Sequence, residues 1–240
     1  ISNDTRGPVA ASQSERMLRT VAHAVGIAAI GVCCVLWLSV SSRSEGAEKP
    51  AAAISHLTPT QETDLQSRLK TLEGQVAVLE KMGVPYRAWA DVAVCAKGVA
   101  WALRHKAFPK PESVAQAIRS IELGTQRATL LKSGKSPWEN APGRTIRGYR
   151  SSVDESIQPY AVTLPSEFGR EPQKRWPLHV VLHGRDDSLS EIKFLQQHEG
   201  RKAEAGLDWI QLDVYGRGCN AYRWAGETDV IEALKDVQGR

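Results

Sequence analysis

The chain has 240 residues, of which 42% are hydrophobic and 24% charged, a composition typical of a globular protein with one large or two small domains. The formal charge is only +4, and no block of Lys and Arg is interleaved with aromatic residues, which argues against nucleic-acid binding. The four cysteines form no Cys-x-x-Cys pair, and no zinc-ligand spacing or glycine-rich phosphate loop occurs. Cys95 and Cys219 are expected to be unpaired thiols, with a disulfide between them as the alternative, and no metal site is expected.

The N-terminal part is predicted to direct export. Residues 1–20 are expected to be a disordered leader, with Met17 as the expected start. Residues 21–42 combine a positive flank, an apolar run over 21–40 and small polar residues, and two main interpretations stay open. They are a cleaved secretory signal or an anchor that contacts the membrane. Lipid attachment at Cys33 or Cys34 is a third option, although the residues before these cysteines fit it poorly. Both predict export, either to the periplasm or the outside of the cell, or to the inner membrane. Residues 43–57 are expected to be a linker.

Three amphipathic helices are predicted within residues 58–134. The first begins with a capping box, because Thr58 caps and Gln61 lies three residues later. Its apolar residues recur at three- and four-residue steps, which predicts a packing stripe. The second helix is predicted from Tyr86 to His105 and the third from near Pro111 to about Lys132. Together they could form a small bundle.

A strand and helix alternation is predicted after a connection at residues 135–144. The first two predicted strands, Thr145–Arg150 and Gln158–Pro165, are expected to pair antiparallel and open the sheet, the second as an edge or early strand. Leu178–Leu182 is apolar on both faces, which predicts a strand buried between helices in a parallel sheet. A helix near Leu189–His198, a strand at Trp209–Val214 and a helix at Glu227–Val237 follow, an order that predicts parallel crossovers.

The central strand ends in His183-Gly184, followed by a charged loop that begins with Arg185. Gly184 is expected to allow a sharp turn and a close approach of the backbone to a ligand. The glycine-rich loop after Trp209–Val214 is expected at the same edge, where open α/β sheets bind ligands. A buried strand that simply ends in a glycine turn is the alternative.

Several segments in order resemble bacterial prolyl-oligopeptidase-like serine hydrolases of the α/β-hydrolase fold. The resemblance covers about residues 85 to 240. It rests on Arg147-Gly148-Tyr149-Arg150, Gln158-Pro159-Tyr160, Leu182-His183-Gly184-Arg185, Tyr215-Gly216-Arg217, Asn220-Ala221-Tyr222 and Gly226–Val230, with Asp91–Val94, Trp101–Arg104 and Lys135–Trp138 in the helical part. The fold class it implies is α/β: an incomplete α/β-hydrolase sheet over residues 145–240, preceded by a small helical bundle and an N-terminal apolar helix.

The resemblance implies hydrolysis of an ester or peptide through a Ser-His-Asp triad, which needs no cofactor. The nucleophile of this fold sits in a Gly-x-Ser-x-Gly elbow, which is absent here, so all three triad residues are expected beyond Arg240. In the family order the histidine comes last, so His183 is not expected to be catalytic. His183, Gly184 and Arg185 are expected to form the oxyanion loop, with the Arg185 backbone N–H as donor. Residues expected at the pocket mouth are Tyr215, Arg217, Asn220, Trp224 and Glu227, although Arg217 and Glu227 could simply pair.

Two functional hypotheses therefore stand. In the first, the chain is the front part of an exported esterase or peptidase and is itself inactive. In the second, it is a membrane-anchored interaction protein that carries a degenerate hydrolase-like module.

Overall fold

The computed structural model describes residues 56–171 and 173–240. The predicted leader, the apolar run and nearly all of the linker lie outside these residues. The described part is an α/β structure with five α-helices and a mixed four-stranded sheet. In chain order the elements are α1 (Pro59–Lys81), α2 (Tyr86–Arg104), α3 (Pro111–Lys132), a short 3-10 helix (Pro137–Glu139), β1 (Gly143–Arg150), β2 (Ile157–Leu164), β3 (Leu178–Leu182), α4 (Glu191–His198), β4 (Ile210–Val214) and α5 (Ala225–Gln238).

The predicted capping box is confirmed. Thr58 accepts a hydrogen bond from the Gln61 backbone at the start of α1, and the Gln61 side chain accepts one from the Thr58 backbone. The Ser190 side chain caps α4 by accepting a hydrogen bond from the Lys193 backbone N–H. Each cap satisfies a backbone donor that the first helical turn cannot satisfy itself, which fixes where the helix begins.

The sheet has the strand order β1-β2-β4-β3. β1 and β2 pair antiparallel, as predicted, and β2 also pairs antiparallel with β4. Only β3 and β4 are parallel, joined by the crossover through α4. β2 is therefore an interior strand, and the prediction of an edge position was wrong. Pro159 fits there because β4 pairs only with residues 160–163, so the missing N–H is not needed on that side.

The prediction that Leu178–Leu182 is a buried interior strand was wrong for this chain. β3 is an edge strand that pairs only with β4. Val180 and Val181 are each 38% exposed, and Leu182 is 50% exposed. The apolar residues of β3 predict an extended strand and suit burial. No element among the described residues, however, covers the outer edge of β3.

Helices lie on both faces of the sheet. One face of β2, represented by Ala161, joins a core with α1, α2, α3 and α4. The opposite face, represented by Tyr160 and Val162, packs with Leu212 of β4 and Ala233 of α5. The two cores follow from the alternation of side chains along a strand. The three N-terminal helices thus share their core with the sheet.

A buried carboxylate joins these layers. Asp91 of α2 is fully buried and accepts hydrogen bonds from Arg147 (2.8 Å), Trp138 (2.9 Å), the Gly148 backbone (3.0 Å) and Arg240 (3.0 Å). Burial opposes its ionisation, but the neighbouring guanidinium groups hold the pKa of Asp91 below its ordinary value. The sequence gives no sign of this cluster, because its members are spread from position 91 to position 240.

Candidate functional site

The loops after β3 and β4 leave the same edge of the sheet. The two strands are parallel, and Leu182 lies opposite Val214. Residues 183–187 and 219–224 consequently face one another across a cavity of about 680 Å³. We call this the loop cavity; His183, Gly184, Arg185, Asp187 and residues 219–224 line it.

Tyr222 ties the two loops together. Its hydroxyl accepts a hydrogen bond from the His183 backbone N–H (2.9 Å) and donates one to the Val214 carbonyl (2.8 Å). Burial raises the pKa of Tyr222 to about 12, so the phenol stays a donor at neutral pH. The His183 ring also lies with Nε2 3.0 Å from the Tyr215 carbonyl oxygen. Through these bonds His183 links the two loops.

Gly184 and Arg185 form the open part of the first loop. The backbone of Gly184 lies outside the left-handed region, and an added Cβ would meet no atom of the described residues within 4 Å. The expected need for glycine at a tight turn is therefore absent here. The exposed Arg185 side chain pairs with Asp187 at 3.1 Å. Among the described residues, none of the hydrogen bonds found uses the Arg185 backbone N–H.

The second loop carries unusual backbone geometry. Arg217, Ala221, Tyr222 and Trp224 all have positive φ. Trp224 has φ 53° and ψ −119°, and the Gly226 N–H bonds the Arg223 carbonyl, which together make a type II′ turn with tryptophan where glycine is normal. The Trp224 side chain is 79% exposed beside the loop cavity. Strain of this kind persists where the surroundings enforce it and is concentrated at functional sites.

The predicted pocket residues divide into three groups. Asn220 and Trp224 line the loop cavity with the predicted oxyanion loop. Tyr215 and Arg217 line a different cavity. Glu227 is exposed in the first turn of α5.

Arg217 does not pair with Glu227. It bonds Asp154 (2.6 Å), Asp229 (3.1 Å) and the Ser151 hydroxyl (2.8 Å), which ties the second loop to the β1–β2 turn. The hydrogen bond from Arg217 holds the pKa of Asp154 well below its ordinary value. Burial raises the pKa of Asp229, and Arg217 opposes that rise.

A second group of residues lies around Glu191, and no sequence pattern had pointed to it. The Glu191 side chain is almost completely buried, and its Oε2 atom accepts a hydrogen bond from Lys97 at 2.5 Å. Burial raises the pKa of Glu191, and Lys97 opposes that rise. The two residues are 94 positions apart, so no local pattern could have indicated the pair. Tyr215 and Trp101 lie around the same carboxylate.

Other kinds of site have less support. Within residues 56–171 and 173–240, no group of three or more His, Cys, Asp or Glu side chains is placed to hold a metal ion. Cys95 is buried and Cys219 exposed, both as free thiols. None of the described helices is both long and apolar enough to span a bilayer.

Comparison of the chain with protein-family models, curated proteins and solved structures finds no match.

Proposed function

We propose that residues 145–240 are the opening part of an α/β-hydrolase domain, and that the complete domain hydrolyses an ester or peptide bond through a serine nucleophile. The observation that carries this proposal is the uncovered edge of β3, directly before the loop His183-Gly184-Arg185. Apolar strand edges are normally covered, because they otherwise pair with other chains. A further parallel strand beside β3 would bury Val180, Val181 and Leu182.

Such a strand would place its own carboxyl end beside the loop cavity. In α/β-hydrolases the nucleophilic serine follows a strand directly, in a sharp turn, and the loop after the third strand supplies an oxyanion donor. The unused backbone N–H of Arg185 suits that role, since it is held near the cavity and has no partner among the described residues.

The reaction would then divide between two parts of the protein. The serine, its histidine and the acid would lie in the part that adds to β3, and residues 183–185 would stabilise the negative oxygen of the tetrahedral intermediate. His183 would position the loop through Tyr222 and the Tyr215 carbonyl. Residues 1–240 alone are expected to be inactive.

The coding sequence beyond the Arg240 codon provides the first test. We expect a strand followed by Gly-x-Ser-x-Gly within about twenty residues. A stop codon with no such sequence downstream would contradict the proposal.

Activity of the longer product provides the second test. It should react with a fluorophosphonate probe and hydrolyse p-nitrophenyl acetate. Arg185→Pro removes the backbone donor and should lower kcat by about 10²- to 10³-fold, the usual loss for one oxyanion donor. Arg185→Ala is the matched control, because it removes the side chain and keeps the N–H. Equal losses in the two variants would reject the backbone role.

A non-enzymatic interaction module is the second candidate. The observation in its favour is that Arg240 bonds Asp91 of α2, Asp236 of α5 and the Gly148 carbonyl of β1, which ties these three elements together. Size exclusion and thermal unfolding of the 240-residue chain distinguish the candidates. A monomer with one sharp transition favours the module, and self-association through the open edge favours the hydrolase.

A further inference from the structure

The helices α3 and α4 lie side by side, and their first turns line one cavity. The Arg119 Nε atom of α3 donates to Gln196 Oε1 of α4 (2.9 Å), and Gln196 Nε2 donates to the Ser120 hydroxyl of α3 (3.3 Å). The cavity between the two helix starts has a volume of about 260 Å³. We call it the helix-start cavity; it is lined by Pro109, Lys110, Glu112, Ser113, Gln116, Ser188, Ser190 and Lys193.

Ser113, in the first turn of α3, has a hydroxyl group without a partner. The residue is only 7% exposed, yet its hydroxyl makes no hydrogen bond with any described residue. The unpaired side-chain atoms that are sealed off from solvent are Gln75 Oε1, Tyr86 Oη, Arg147 Nε and Glu191 Oε1, so the Ser113 hydroxyl is not sealed off. Because Ser113 lines the helix-start cavity, its hydroxyl is a largely buried donor that a ligand there can use.

Two further donors close to Ser113 are also unused. The N-cap residue of α3 is Lys110, whose side chain makes no capping hydrogen bond, and Pro111 has no N–H to offer. The Glu112 backbone N–H has no acceptor among the described residues. The Lys110 ammonium group likewise has no partner among them. Residues 110–113 therefore hold an ammonium, a backbone and a hydroxyl donor that the described part of the protein leaves free.

The charges around the cavity favour an anion. Lys193 on the α4 side is neutralised by Asp186 at 2.7 Å, and it also bonds the Ser188 hydroxyl. Lys110 and the exposed Glu112 carboxylate carry opposite charges that offset one another. What remains is the partial positive charge at the starts of two helices, which stabilises a negative group.

We propose that the helix-start cavity binds a phosphate group. A phosphate has several acceptor oxygens, which match the Ser113 hydroxyl, the Glu112 N–H and the Lys110 ammonium, and hydrogen bonds to a charged acceptor are the strong ones. Inorganic phosphate and a phosphate monoester share this chemistry. The binding is independent of the proposed hydrolysis and requires no residue beyond Arg240.

Isothermal titration calorimetry on the 240-residue chain tests the proposal. The probes are inorganic phosphate and methyl phosphate, with acetate and chloride at equal ionic strength as comparison anions. At least one phosphate probe should bind saturably, and about tenfold more tightly than either comparison anion. Binding of inorganic phosphate alone would identify free phosphate as the ligand, and binding of methyl phosphate would show that a monoester is accepted. Absence of binding, or equal affinity for a comparison anion, would overturn the proposal.

Removal of the Ser113 hydroxyl locates the binding. Ser113→Ala should weaken phosphate by about tenfold, the usual value of one hydrogen bond to a charged group. Ser67→Ala, at an exposed position of α1, is the matched control and should leave binding unchanged. Thermal unfolding shows whether each variant is folded. A folded Ser113→Ala variant that binds phosphate as the parent does would show that the assigned site is wrong.

Two charge changes in the first turn of α3 should act in opposite directions. Lys110→Met should weaken phosphate binding, whereas Glu112→Gln removes the carboxylate, keeps the backbone N–H and should strengthen binding, each by about two- to fivefold. Lys132→Met removes the same charge at the far end of α3 and should have no effect. Equal losses in Lys110→Met and Lys132→Met would reject the site, because they would show that only the net charge of the chain matters.

Discussion

β1 and β3 are the two edge strands of one sheet, and their surroundings differ in nearly every respect. Behind β1, Asp91 accepts hydrogen bonds from two guanidinium groups, an indole and a backbone amide. At β3, three apolar residues remain exposed, and the adjoining loop contains several residues of positive φ.

This difference separates a part of the molecule that holds its layers together from the part for which we propose a function. The groups around Asp91 are buried and bonded to one another across α2, β1 and the C-terminal residue, and they hold the layers together. The uncovered strand, the unused Arg185 amide and the strained Trp224 turn each leave something unsatisfied. Binding partners and substrates act on such features.

The largest effect on stability is expected at Asp91, behind β1. Asp91→Asn removes the negative charge opposite Arg147 and Arg240 and should lower the free energy of unfolding by about 3–5 kcal/mol. Urea denaturation followed by circular dichroism measures it. Asp64→Asn, which breaks an exposed pair with Arg68, is the control and should cost less than about 1 kcal/mol.

A smaller effect is expected where β1 approaches α2. A Cβ at Gly148 would lie 2.9 Å from both the Ala90 carbonyl carbon and Ile157 Cγ2, so Gly148→Ala must push strand and helix apart. The expected loss is about 1–3 kcal/mol. Gly74→Ala should not destabilise the protein in the same assay, and equal effects would show that the close packing is unimportant.

Acid should reduce the contribution of Asp91 to the free energy of unfolding. The folded-state pKa of Asp91 is lowered, so its contribution is complete above the unfolded pKa, about 3.9, and is lost as pH falls through the lower folded value. The difference in unfolding free energy between the parent chain and Asp91→Asn should therefore shrink below about pH 4. A difference that stays constant from pH 7 to pH 3 would contradict the lowered pKa.

A substitution in the strained turn at Trp224 is expected to raise stability, whereas the substitutions above lower it. Trp224→Gly places glycine at the position of a type II′ turn that favours it and should raise the unfolding free energy by about 1 kcal/mol. Differential scanning calorimetry provides the measurement. Arg223→Gly, one residue earlier and without positive φ, should give no gain.

The smallest change in stability is expected at the open edge, where the readout is self-association. Val181→Lys places a charge on the exposed strand and should change stability by less than about 1 kcal/mol while reducing aggregation. Light scattering against concentration checks this. Val153→Lys, at an exposed position in the β1–β2 turn, should leave aggregation unchanged.

The sequence by itself determined the local elements. The capping box at Thr58 and the apolar repeat of α1 located the first helix, because caps and periodicity act over a few residues. The apolar run of β3 and the His183 loop were also recognisable, since a strand that suits burial and a polar turn both leave local patterns.

Only the tertiary structure decided which of these elements are covered and which of their side chains have partners. The edge position of β3, the pairing of Arg217 with Asp154 and Asp229, and the pair Lys97–Glu191 all join distant parts of the chain. Their burial and hydrogen bonding depend on how strands and helices are arranged in space. A residue's type fixes what it can bond, but its neighbours across the fold decide whether it does.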